Sequence, residues 1–147
     1  MAYQFKFEKI MKLKEREKDE VLSTYNESVR RFEEAAENLF RSLKKKEDIE
    51  SYQRSKLENG LSVQEIRHHQ SFIHNLQKTI DHDQKVVVHT RNQMNFYQDK
   101  LLQRNIEVKK YEVLKEKGKL VFLEELRQLE AKQMDDISIQ QYMHRGN

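Results

Sequence analysis

The sequence has no proline, no cysteine and no tryptophan, and only three glycines in 147 residues. Average usage would give about 7 prolines and about 10 glycines in this length. Glycine and proline supply the backbone angles that tight turns require. A turn-rich sandwich, barrel or α/β domain is therefore excluded, and a mostly helical chain is predicted. The absence of cysteine removes a thiol nucleophile, disulfides and Cys-ligated zinc, iron–sulfur or copper centres. Gly60, Gly118 and Gly146 are too dispersed for a phosphate-cradling loop, whose glycines cluster within a few residues. The longest apolar run is Leu120 to Leu123, far short of a membrane span. The N-terminal stretch has no unbroken apolar segment of the kind a secretory signal carries, and Ala2 is not a myristoylation site. A cytosolic protein without direct membrane insertion is expected.

What the chain has in quantity is charge. Charged residues make up 36%, and hydrophobic residues another 36%, fewer than the roughly 45–50% of an ordinary globular domain. The formal net charge is +3. Residues 1–59 hold 14 basic and 13 acidic residues, and residues 60–147 hold 14 and 12. Such mixing describes a solvated helical surface. The basic clusters are Lys44-Lys45-Lys46, Arg30-Arg31 and Lys109-Lys110; Glu47, Asp48 and Glu50 follow the first directly, and Glu33 and Glu34 follow the arginines. They lack the uninterrupted positive stripe that a nucleic-acid phosphate backbone selects, so no nucleic-acid partner is expected.

The clearest break is Asn59-Gly60-Leu61-Ser62. Gly60 can adopt the left-handed conformation that closes a helix. Ser62 with Glu65 fits a capping box that opens the next. The hairpin turn is therefore assigned to Asn59, Gly60 and Ser62. One helix is predicted over about 4–58, a turn over 59–61 and a second helix over about 62–143. So short a link makes the helices antiparallel neighbours. The fold class is all-α: a long two-helix coiled-coil hairpin, 1–147, read as a single domain.

Leu22, Tyr25, Val29, Phe32, Ala36, Leu39 and Leu43 follow an unbroken 3-4 spacing, the period of a coiled-coil seam. Beyond them the pattern reaches Lys46, Glu50 and Gln53, while Ile49 and Tyr52 lie one residue off, which predicts a shift of the seam. In the second helix Ile66, Ile73, Ile80, Val87, Met94, Leu101 and Val108 recur every seven residues. The alternate positions are His69, Leu76, Asp83, Thr90, Tyr97, Arg104 and Tyr111, so this seam is wetter. Glu8–Lys12, Glu27–Arg31, Glu37–Arg41, Glu50–Arg54 and Asp81–Lys85 are spaced for i,i+4 ion pairs.

Antiparallel pairing about the turn places residue i opposite roughly residue 121 − i. The second helix should therefore overhang the first beyond about Gly118, which is read either as a joint or as a tolerated helix glycine. Val121, Phe122, Leu126 and Leu129 lie in the overhang. That much apolar surface calls for a partner, a second copy or a folded-back N-terminus. Near the tip, Phe72 lies beside the seam with Leu76, and Ile49 is off the seam across the hairpin. This flank reads equally as a widened seam or as a docking surface.

Carboxylates and histidines are plentiful, but a two-helix hairpin offers ridges rather than the partly dry pocket that acid–base catalysis needs. His68, His69, His74, His82 and His89 include no pair at the i,i+3 or i,i+4 spacing of a helical metal site. His69, at a seam position, reads best as a satisfied interface histidine. No enzymatic activity, cofactor or metal is expected.

The turn Glu58-Asn59-Gly60-Leu61, the following Gln70-Ser71-Phe72-Ile73-His74-Asn75-Leu76-Gln77-Lys78-Thr79-Ile80, and the opening Phe5-Lys6-Phe7-Glu8-Lys9-Ile10 together resemble the FliJ family of flagellar export proteins. The resemblance spans nearly the whole chain. It implies a non-enzymatic, stalk-like coiled coil of the flagellar type III export apparatus. Such a protein associates with the export ATPase hexamer, connects it to the cytoplasmic domain of the export gate and binds export chaperones. It is cytoplasmic and recruited to the membrane face at the flagellar base. The resemblance assigns gate contact to Phe72 and Leu76, with Ile49 on the neighbouring face. This chain keeps the Phe72/Leu76 centre and departs around it, with Asn38, Ser42, Lys45, Thr79 and Asp83 where several relatives carry larger or more apolar side chains. Contact with the ATPase or another partner falls to Val121, Phe122, Leu126 and Leu129. The alternatives are a general structural coiled-coil scaffold and a nucleic-acid-binding helical hairpin.

Overall fold

The structure is a computed structural model that describes residues 2–146. It consists of two long α-helices packed against each other, α1 (Glu8–Leu57) and α2 (Val63–Arg145), with no strand among the described residues. The chain divides into two compact units, one of residues 1–19 with 103–147, the other of residues 20–102. Each therefore pairs a length of α1 with a length of α2, where the sequence reading takes the whole chain as one domain.

The turn lies in the second unit. Gly60 has a φ of 80°, which a side chain would strain. The Asn59 N–H donates to the Lys56 carbonyl at 3.1 Å, closing α1. The Glu65 N–H donates to Ser62 Oγ at 3.2 Å, so Ser62 caps α2.

The α2 seam follows the heptads of the sequence, with Leu76, Ile80, Thr90 and Val108 buried and Ile66, Ile73 and Asp83 half-buried. The α1 seam differs by one residue at every second position. Val21, Ser28, Ala35 and Ser42 are buried, while Leu22 is 38% and Leu43 43% exposed. Tyr25, Phe32 and Leu39 hold the alternate positions, half-buried. The phase then continues through Lys46, Ile49 and Gln53, all half-buried, so the expected shift near Ile49 does not occur. The physical reason is size. The small Ser28, Ala35 and Ser42 take the inner positions, and the neighbouring Leu22 and Leu43 are left on the flank. The buried hydroxyls are satisfied: Ser28 Oγ donates to the Tyr25 carbonyl at 2.6 Å, and Ser42 Oγ to Asp83 Oδ2 across the helices at 3.0 Å. Lys46 Nζ donates to Gln77 Oε1 at 2.8 Å in the same interface. His69 sits at the seam with its ring 5.7 Å from that of Tyr52, but its Nδ1 has no partner, contrary to the satisfied-histidine reading.

Of the five expected i,i+4 pairs, Glu27–Arg31 and Glu37–Arg41 form, each at 3.6 Å. Glu50 instead meets Lys46 at 3.9 Å, and Asp81 accepts from Gln77. Glu8 turns to Lys115 of α2 at 3.1 Å. In that first unit Lys14 bridges Glu17 and Glu107, each at 3.5 Å. Glu107, then Glu17, raise the Lys14 pKa above the usual lysine value.

Helix α1 begins at Glu8 rather than near residue 4. The segment before it is non-helical, and its alternate residues Tyr3 and Phe5 are half-buried while Gln4 and Lys6 are exposed, a period of two. This aromatic strap folds back on α2. The Tyr3 ring lies 5.6 Å from Phe122, and Phe7 lies 6.4 Å from Tyr111. Gly118 is the point of closest approach: a Cβ there would run into the Tyr3 hydroxyl. The helix runs unbroken through Gly118, which is thus a seat for Tyr3 rather than a joint. Because the strap covers Phe122, the bare part of α2 begins later than expected: every described residue from 127 onward is exposed.

Two measurements check this packing. Ala35→Leu should overpack the seam and destabilise the chain by about 1–3 kcal/mol in urea unfolding followed by circular dichroism, whereas Leu43→Ala should stay within about 0.5 kcal/mol. The reverse order would restore the leucine seam. Gly118→Ala should yield the helix-propensity gain of about 1 kcal/mol only in a Tyr3→Ala background. With Tyr3 present the gain should shrink or reverse as the strap is displaced, and equal gains in both backgrounds would contradict the seat.

Candidate docking surfaces

The residues assigned to gate contact lie in the second unit and have three different environments. Phe72, in the third turn of α2, is 47% exposed. It precedes the seam residue Ile73 by one position, which turns its ring onto the flank. Leu76, four residues on and so adjacent on the helix surface, is only 9% exposed and belongs to the core. Ile49 is a half-buried member of the continuous α1 seam, not an off-seam residue. The structure thus offers one exposed aromatic, Phe72, standing beside a buried leucine, and Ile49 is withdrawn into the helix interface. Tyr52, one turn before the end of α1, is 48% exposed and stacks its edge on His69.

The residues assigned to ATPase or partner contact lie in the first unit. Val121 and Leu129 are exposed, with Val121 at 57%. Phe122 and Leu126 are half-buried, and the covering group on Phe122 is Tyr3. These four therefore do not form one open surface. Val121 and Leu129 are available, and Phe122 becomes so only if the strap leaves.

Two features were missed by the sequence reading. The strap was signalled by Tyr3-x-Phe5-x-Phe7, an alternation that suits an extended segment better than a helix. The second is an exposed apolar groove on the outer face of α2, lined by Ile106, Lys109, Lys110, Val113 and Leu114. Its signal was Ile106, Val113 and Leu120 at intervals of seven, out of phase with the seam. Among the described residues no helix is long and apolar enough to cross a membrane, and no cluster of three or more His, Asp or Glu side chains is arranged to hold a metal ion.

Comparison with known proteins bears on the resemblance directly. The family model described as Flagellar FliJ protein matches residues 3–147. A Flagellar FliJ protein of Bacillus subtilis (strain 168) is 51% identical over 147 residues, covering the whole of both chains. No solved structure matches. A match across the full length, including turn, strap and terminal part of α2, settles the relationship: the chain belongs to the flagellar FliJ protein family.

Proposed function

We propose that this protein is a non-enzymatic component of the flagellar export apparatus that links the export ATPase to the cytoplasmic domain of the membrane export gate and assists export chaperones. Family membership supports the flagellar setting. The observation that carries the finer reading is Phe72, a large aromatic left 47% exposed on a helix whose neighbouring Leu76 is buried. An exposed aromatic held by a packed base is the form that protein-interface hot spots take. The second attachment belongs to the first unit, where Val121 and Leu129 offer apolar surface for the ATPase. In this reading ATP hydrolysis is performed by the ATPase, and the coiled coil contributes one contact from each unit. Work at the cytoplasmic face of the membrane follows from that contact.

Phe72→Ala should weaken binding to the purified gate domain by about 2 kcal/mol, roughly thirtyfold, and leave ATPase binding and the unfolding midpoint unchanged. Leu76→Ala should instead lower stability by about 2–5 kcal/mol, because it empties a buried site. Calorimetric titration against gate domain and ATPase separates the two. Equal loss of both partners with Phe72→Ala, in a folded chain, would refute the gate assignment.

A further inference from the structure

The terminal half of α2, within the first unit, carries a second heptad face that is exposed. Val108, Tyr111, Gly118 and Phe122 turn toward α1 and the strap. Ile106, Val113 and Leu120 turn the other way and are exposed. Ile106, Lys109, Lys110 and Val113 line the groove noted above at positions i, i+3, i+4 and i+7. That is the four-residue hole into which a coiled-coil knob fits, so the shape calls for another helix.

Charge identifies which helix. Residues 102–123 hold six basic and three acidic residues, an excess as large as the +3 of the whole chain. Residues 124–137 hold five acidic and two basic residues. The face thus changes sign along its length, with Lys110 and Lys117 in the first part and Glu124 and Asp135 in the second, all on one side of α2. Among the described residues, Lys110, Lys117 and Asp135 are in no ion pair.

We infer that this face pairs with the same face of a second copy of the chain, antiparallel, about a two-fold axis near residue 122. Antiparallel pairing lays each basic part on the other copy's acidic part, the self-complementarity that a two-fold interface requires. It sets Ile106 opposite Ile139 and Lys110 opposite Asp135, each pair occurring twice. Parallel pairing would instead set Lys110 on Lys110. An anionic membrane fits less well, because Lys110 and Lys117 stand within the apolar stripe, whereas interfacial helices carry lysine on the polar face. The overlap of each α2 would be about 60 Å. The pairing does not depend on the export reading. Since it covers Val121, the dimer and an ATPase contact there exclude one another.

The test is the association state of the full chain by sedimentation equilibrium, over a range of concentration and salt. The wild-type chain should form dimers that weaken as salt rises. Lys110→Asp and Asp135→Lys should each weaken the dimer on the order of tenfold, because each reversal acts at two symmetry-related pairs. The two changes in one chain should restore it, and circular dichroism should show all variants equally helical. A chain monomeric at every concentration, or a dimer indifferent to both reversals, would overturn the pairing. Monomers that float with anionic vesicles, or that bind a synthetic acidic amphipathic helix, would overturn it and give the face to that occupant.

Discussion

The burial of the small residues Ser28, Ala35 and Ser42 on the inner edge of α1 is the constraint on which the rest depends. Burial at these positions fixes which edge of α1 is inside. Only one narrow face of each helix is covered, and few side chains are fully buried: Ile80 is the largest of them. Leu22, Leu43, Phe40 and Phe72 are consequently left on flanks. With so little interior, much of the apolar side-chain area lies at the surface.

The α2 register was legible because its large apolar residues and its buried residues coincide: Leu76, Ile80 and Val108 are apolar heptad residues and all are buried. In α1 they do not coincide. Hydrophobicity favours Leu22 and Leu43 over Ser28 and Ser42, yet the packing selects the smaller residues. A pattern that weighs apolar character alone is therefore displaced by one residue, and the apparent seam shift at Ile49 is a product of that displacement. The turn was legible because Gly60 and Ser62 carry local backbone requirements that tertiary contacts do not alter.

The surfaces were only partly legible. Phe72 beside the seam could be placed from helical spacing, but the withdrawal of Ile49 follows from the displaced phase of α1. The coverage of Phe122 depends on a strap that lies over one hundred residues away in sequence. Gly118 illustrates the difference between a rule and a contact: as a helix glycine it costs stability, and only the seat for Tyr3 explains what the missing side chain is for. The exposed stripe from Ile106 to Leu120 obeys the same heptad rule as the seam, so periodicity detects it without saying what covers it.

The central claim, that this coiled coil serves the export ATPase, is tested most directly by ATP hydrolysis of the purified ATPase from the same organism, titrated with the full chain. The account predicts stimulation that saturates well below one copy per ATPase subunit, because one coiled coil would serve a whole ring. A folded, helical chain that leaves hydrolysis unchanged at every ratio would contradict it.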